Sequence, residues 1–397
     1  MPRKTHSTGP RAERVYIAGI EVRRRASLWT LDDSLAELAE LARSAGAHVV
    51  GSTSQRLKAP TQTYLGKGKI EELKAMAQAG KFDTLVCDDE LAPSQQRNLE
   101  KALDGVKVID RTALILDVFA SRAQTREGRL QVELAQHEYL LPRLAGQWTH
   151  LERQRGGSRG GIGTRGPGET QIETDRRLVR RRVQFIKKEL ETVRRHRGQY
   201  RARRSQQGAA VASLVGYTNA GKSTLLNSLT KAGVAAESRL FSTLDPVTRK
   251  VRLASGRELL LTDTVGFIQK QPPLVVNAFR ATLEEIEASA MILHVVDIAH
   301  PNAAAQAEVV RSILDELGLA GKPTLLVLNK ADLVETDEGG RFGSKPPDWT
   351  DSQAGAVLTS GLKGFGLDIL MKAMDDVLSG ASSTTIAPGP VLASQPR

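Results

Sequence analysis

The sequence predicts an α/β protein in three parts: an N-terminal α/β domain, a helical-hairpin arm, and a second α/β domain organised around a phosphate-binding loop. Three observations predict it. Strand-like and helix-like segments alternate from Arg14 to Ala120, the pattern of a mostly parallel sheet with helical crossovers. A single apolar seam runs along a basic helix, with Val179, Val183, Ile186, Leu190 and Val193 spaced 4, 3, 4 and 3 residues apart. A strand, a glycine-rich loop and a helix then follow each other from Val211 to Leu229. The expected boundaries are a flexible N-terminus over 1–13, the N-terminal domain over 14–125, the arm over 126–205, the phosphate-loop domain over 209–380 and a flexible tail over 381–397.

In the N-terminal domain the apolar periodicity predicts strands at 14–22, 47–52, 82–88 and 106–109. Helices are expected at 31–45, 67–79, 95–103 and 112–120. Tyr64-Leu65-Gly66-Lys67-Gly68-Lys69 reads as a loop before a helix. It either holds a phosphate or is a plain helix-initiating turn, because it lacks the spacing of a phosphate loop.

In the arm, Leu130, Leu134 and Leu141, with Val132, Ala135 and Tyr139 beside them, offer a helix to partner the seam. The connection Arg153–Gly168 has seven glycines, four arginines and no acid. Glycines let a backbone approach a partner closely, and arginines offer planar forks for phosphate or faces for unpaired bases. Residues 176–204 carry 13 Lys or Arg against 2 acids, so this stretch accounts for the whole formal charge of +11. A solvated helix face or a linker would explain either segment alone. Together they suggest a nucleic-acid phosphate backbone as partner, with Arg153, Arg155, Arg159, Gly160, Gly161, Arg165, Arg176 and Arg177 as contacts.

Gly216-Tyr217-Thr218-Asn219-Ala220-Gly221-Lys222-Ser223 fits G-x-x-x-x-G-K-[ST]. Such a loop closes its N–H groups around a phosphate at a helix N-terminus, where Thr224 follows. Lys222 would reach the β- and γ-phosphates, and the Ser223 hydroxyl would bind Mg²⁺. Asn329-Lys330-Ala331-Asp332 lies 113 residues after Gly216, behind the apolar run 323–328. An aspartate there accepts two hydrogen bonds from guanine, and adenine lacks those donors. Asp263-Thr264-Val265-Gly266 follows another apolar run; Asp263 would hold Mg²⁺ through water, and the Gly266 N–H would sense the γ-phosphate. Thr243 is the candidate switch threonine, and Ser360-Gly361 the candidate base-closing pair, with Gly361 where alanine is usual. These motifs predict a Ras-like P-loop GTPase domain, with Lys222, Thr243 and Gly266 assisting hydrolysis of GTP to GDP. Phe267 stands where many small GTPases carry a water-orienting glutamine, so slow intrinsic turnover and an activating partner are expected.

One cysteine, Cys87, excludes a disulfide framework and suits a reducing compartment. No apolar stretch reaches the length of a membrane span and the N-terminus has no signal-peptide core, so a cytoplasmic protein is expected.

These strings resemble the HflX family of GTPases over roughly residues 14–378. The resemblance rests on Tyr64–Lys69, on Asp110-Arg111 through Leu130–Ala135, on Gly160–Gln171 and on Gly216–Ser223. It implies a monomeric factor that binds the large ribosomal subunit and its rRNA and splits stalled or idle ribosomes under stress, hydrolysing GTP there. It also implies ATP binding by the N-terminal domain in some members. A polar tail, Ser379–Arg397, stands where many members carry a further domain. Two rivals stay in view: a GTP switch for ribosome assembly or hibernation that splits nothing, and an RNA-remodelling ATPase, which the lack of a second phosphate loop disfavours. A tRNA-modifying GTPase of the related family would need a cysteine near the C-terminus, which this chain lacks.

Overall fold

The computed structural model describes residues 12–22, 29–147, 167–206, 210–230, 240–334 and 356–380. It divides into two compact units. One comprises Met1–Ser121 with Glu138–Arg180, and the other Arg122–His137 with Arg181–Arg397.

The first unit contains a four-stranded parallel sheet, order β2-β1-β3-β4, formed by β1 (Arg14–Val22), β2 (His48–Leu57), β3 (Thr84–Cys87) and β4 (Lys107–Asp110). Helices α1 (Leu31–Ser44), α2 (Lys67–Gln78), α3 (Pro93–Ala102) and α4 (Arg111–Arg122) alternate with the strands. Strand β2 runs five residues beyond its expected end. Its polar second half carries no apolar signal, but β1 pairs with it through Val22↔Leu57, and those backbone bonds extend it. Apolar side chains such as Ile17, Leu38, Leu85 and Phe119 fill the core.

One buried cation sits among them. Arg111 donates to Asp88 Oδ1 at 2.7 Å and to Glu37, while the Ser34 hydroxyl donates to Asp88 Oδ2 at 2.7 Å. A buried charge survives only when it is paired and hydrogen-bonded in this way.

The Tyr64–Lys69 stretch is a helix-initiating turn. The Gly66 N–H at the start of α2 donates to Gln55 Oε1 at 2.8 Å, and the Tyr64 ring is buried with its hydroxyl on Asp89 at 2.7 Å.

Two long helices follow, α5 (Arg126–Gln147) and α6 (Pro167–Gln206). The six apolar residues expected on α5 are covered unequally. Gly128, Val132, Ala135 and Tyr139 are buried, while Leu130, Leu134 and Leu141 are half-covered. Spacing alone allowed two overlapping stripes. On α6 the expected seam is the covered face, with Ile186 fully buried.

The second unit holds a six-stranded sheet, order β10-β9-β8-β5-β7-β6, in which only β6 runs antiparallel. Its strands are β5 (Ala210–Gly216), β6 (Val247–Arg252), β7 (Glu258–Asp263), β8 (Met291–Asp297), β9 (Thr324–Asn329) and β10 (Ala356–Leu358). The helices are α7 (Lys222–Thr230), α8 (Pro273–Ala278), α9 (Arg280–Ala288), α10 (Ala303–Glu316) and α11 (Leu367–Leu378). The central strands β5 and β8 are buried on both faces, as a parallel sheet covered by helices requires. The carboxyl ends of β5, β7 and β9 therefore present their loops together, the usual place for a ligand in such a sheet.

Candidate nucleotide site

Those three loops carry the motifs read from the sequence. Gly216 ends β5 and Lys222 opens α7, so the N–H groups of the intervening loop and the helix N-terminus face one cleft. Thr218, Asn219, Gly221, Lys222, Ser223, Thr224, Thr243, Thr264 and Gly266 line it, and Ala220 is buried behind. Asn219 and Gly221 both take positive φ, 61° and 89°, which turns the chain tightly round the cleft. The Lys222 ammonium is buried and donates to the carbonyls of Gly216 at 3.1 Å and Tyr217 at 2.9 Å. Burial lowers its pKa to about 8, with Asp263 opposing the shift and Lys330 adding to it.

Three oxygens converge beside this loop. Ser223 Oγ lies 2.6 Å from Asp263 Oδ2 and 2.8 Å from Thr243 Oγ1, and Thr243 Oγ1 lies 2.9 Å from the same carboxylate oxygen. Asp263 Oδ1 is buried without a hydrogen-bond partner. Burial raises the Asp263 pKa, against the pull of Lys222, Ser223 and Thr243. A hard, all-oxygen set with a spare carboxylate oxygen fits Mg²⁺.

The Asp263–Gly266 segment docks on the phosphate loop through its backbone. Thr218 N donates to Phe267 O at 2.8 Å and Phe267 N to Gly216 O at 3.1 Å. A Cβ on Gly266 would come within 2.6 Å of Thr218 Cα, so only glycine allows this approach. Val265 and Thr264 are buried. The Phe267 ring is fully buried and meets Phe279 edge-on, centroids 6.3 Å apart. It points into the core, which is why an apolar residue suits this position.

At the base end, Asp332 sits in a short 3₁₀ turn after β9 and accepts from the Ser360 hydroxyl at 2.5 Å. Lys330 has φ 62° and its ammonium contacts Asp297 at 2.6 Å. Asn329, expected with Asp332 at the guanine, ties this end of the site together. Its amide is taken up by the protein, donating to Ala220 O at 2.9 Å and accepting from Gly361 N at 3.0 Å and Thr359 Oγ1 at 3.3 Å. It joins the base loop to the phosphate loop. Gly361 also has a local reason. A Cβ there would lie 3.1 Å from the Leu225 backbone nitrogen, and the Gly361 carbonyl accepts from Ser228.

The sequence reading missed the supporting contacts: Tyr217, whose hydroxyl accepts from Gln269 N at 2.8 Å, Thr359, Ser228 and the Asp297 partner of Lys330. Tyr217 lies in the phosphate-loop string, which gives no sign of its side-chain partner, and the others lie in no recognisable string. Among the arginine candidates, Arg176 and Arg177 lie on α6, half-buried and exposed respectively. Arg153, Arg155, Arg159, Gly160, Gly161 and Arg165 fall outside the described residues, as does 335–355.

Three family models match in succession: "GTP-binding GTPase N-terminal" over residues 32–120, "GTP-binding GTPase Middle Region" over 122–204 and "50S ribosome-binding GTPase" over 211–330. The "GTPase HflX" of Alkalihalophilus pseudofirmus is 51% identical over 321 residues, covering 81% of this chain and 74% of that protein. The "GTPase HflX" of Escherichia coli is 44% identical over 353 residues, covering 88% of this chain and 80% of that one. The chain belongs to the HflX family of GTPases. The resemblance read from the motifs is thus borne out, as are the α/β fold with its phosphate-loop domain and the GTP-hydrolysing activity. A solved structure, the SsGBP and GDP complex, is 25% identical with a TM-score of 0.49, covering 94% of this chain and all of that one. Among the described residues no helix is long and apolar enough to cross a membrane.

Proposed function

We propose that this HflX-family GTPase binds the large ribosomal subunit through rRNA and uses GTP to split stalled or idle ribosomes. The observation that carries the reading is the solvent face of α6. Arg177, Arg180, Arg181, Arg182, Lys187, Lys188, Arg194 and Arg195 are all exposed on one helix, a footprint suited to an RNA backbone. The family match described as a 50S ribosome-binding GTPase supports it. On this reading the protein works as a cytoplasmic monomer whose three parts divide the labour: the α/β domain and arm dock, and the Ras-like domain times the event.

In the GTP state the phosphate-loop amides would hold the β-phosphate. Lys222 would leave the Gly216 and Tyr217 carbonyls for the β- and γ-oxygens, regaining its full charge. Ser223, Thr243 and Asp263 would hold Mg²⁺, which neutralises charge building on the phosphates. The Gly266 N–H would meet the γ-phosphate. Asp332 would exchange its bond to Ser360 for guanine N1–H and N2–H, while the Ser360 and Gly361 backbone closes over the base. With Phe267 held in the core, no side chain directly after Gly266 can orient the attacking water, so docking on the subunit would complete the site.

The test is GTP hydrolysis with and without purified large subunits at moderate salt, followed by subunit dissociation. Stimulation well above tenfold and splitting that is lost when Gly160–Gly168 is deleted are expected. Splitting that survives that deletion, or hydrolysis indifferent to subunits, would overturn the proposal.

A further inference from the structure

Two residues after the switch threonine, Asp245 reaches out of the nucleotide site and holds the start of α5. Its Oδ2 accepts the backbone N–H groups of Gln124 at 2.8 Å and Thr125 at 2.9 Å, and its Oδ1 accepts the Thr125 hydroxyl. That hydroxyl in turn accepts the Gly128 N–H at 2.9 Å, closing the first turn of the helix. A carboxylate here satisfies donors that a helix leaves unpaired and sits at the positive end of a 22-residue dipole. The bonds are charge-assisted, so this is a strong joint rather than a passing contact.

The loop between the two sites has little slack. Thr243 Oγ1 is held by Ser223 and Asp263. Leu244 is buried and its carbonyl accepts the Thr282 hydroxyl of α9 at 3.4 Å. Asp245 is then fixed to α5. The same helix root is tied through α6 to α9. On α6, Arg194 pairs with Glu284 at 2.9 Å, and Arg197 reaches Glu127 of α5 at 3.3 Å and Glu285 of α9 at 3.6 Å.

From this geometry we propose that Asp245 is a positioning residue for GTP hydrolysis, which couples the root of the arm to the Thr243 loop. With Thr243 drawn onto the metal site, Asp245 caps α5. When Thr243 lets go after hydrolysis, the cap is released and the first turn of α5 loosens. By reciprocity, whatever orders or pulls that turn changes how often Thr243 occupies its place. The inference rests on reading Thr243 as the metal-binding switch threonine.

Gly128 allows a discriminating variant. A Cβ at this position would lie 2.3 Å from Asp245 Oδ1. Gly128→Ala therefore displaces the carboxylate while favouring the helix itself, since alanine is the better helix former. Asp245→Ala removes the cap and weakens the helix start. Asp245→Ala keeps Gly128 and Gly128→Ala keeps the carboxylate, so a kinetic effect shared by both points to the joint, and the nucleotide dependence of amide exchange separates it from a plain loss of stability.

The experiment compares the full-length wild type, D245A, G128A and T243A. It measures kcat and KM for GTP, GDP affinity, Tm, and amide exchange of residues 124–129 with GDP and with a non-hydrolysable GTP analogue. We expect slower exchange in the wild type with the analogue than with GDP. D245A and G128A should lose that difference, lower kcat by about tenfold and leave GDP affinity within about twofold. Equal exchange in the wild type with both nucleotides, or wild-type kcat in G128A and D245A, would overturn the coupling. Unchanged GTP turnover in T243A would overturn the switch reading, and the coupling with it.

Discussion

Asn329 donates its side-chain N–H to the Ala220 carbonyl at 2.9 Å, joining two loops 109 residues apart in the chain. Its oxygen accepts Gly361 N from a third loop. The asparagine of the guanine motif is therefore the knot of the pocket, and its loss should be felt at phosphate and base alike. Asn329→Ala leaves buried partners unsatisfied, at about 1–3 kcal/mol. GDP and GTP affinity should both fall by about 10–100-fold in a fluorescent-nucleotide titration. A loss confined to one nucleotide would contradict this.

Asp332 accepts the Ser360 hydroxyl at 2.5 Å at the base end of the site. Asp332→Asn replaces an acceptor by a donor and matches the carbonyl of xanthine. GTP binding should weaken by at least about 100-fold while XTP binding appears. Competition between the two nucleotides checks it, and unchanged GTP affinity would rule out Asp332 as the guanine reader.

Lys222 gives a pH dependence with a definite sign. Its pKa is about 8 in the nucleotide-free fold, against an ordinary 10.5. Between these values the unfolded chain binds more protons, so this group adds stability as pH rises from about 8 to 10.5 and withdraws it as pH falls back. Phosphate oxygens restore the charge on binding, so proton uptake accompanies nucleotide binding in the same window. GTP affinity should fall by up to about tenfold per pH unit above about 8. Calorimetry in buffers of different ionisation heat measures the uptake, and Lys222→Met should abolish it.

Phe267 is a core residue at a catalytic address. It is fully buried, stacked edge-on against Phe279, and its backbone pairs with Gly216 and Thr218. Phe267→Gln should not create a faster GTPase. It should instead lower stability by about 3 kcal/mol, because a large apolar ring is lost and an amide is buried. Thermal melts and single-turnover hydrolysis would decide.

Much of the site was legible because its parts are local. The phosphate loop needs glycine where the backbone turns sharply, and Gly221 takes φ 89°. Strand β9 delivers Asn329 and Asp332 because a buried parallel strand must be apolar along its length. The α6 seam was readable because 3.5-residue periodicity survives any choice of partner. The buried face of α5 was not, since two stripes of comparable polarity compete and only the packed neighbour selects between them. Strand β2 ran past its apolar signal because pairing with β1, not hydrophobicity, holds its far end.

By itself the sequence determined the chemistry on offer: a phosphate loop, a guanine motif, a basic helix and an apolar residue in place of a water-orienting glutamine. Each follows from residue type and spacing within a few turns of chain. Only the tertiary structure decided which groups meet. Thr243 and Ser223 are 20 residues apart and share one Asp263 oxygen, Asn329 serves Ala220 and Gly361, and Asp245 holds α5 from 120 residues away. Such contacts depend on sheet order and on which loops end at the same edge, and no local pattern carries that information.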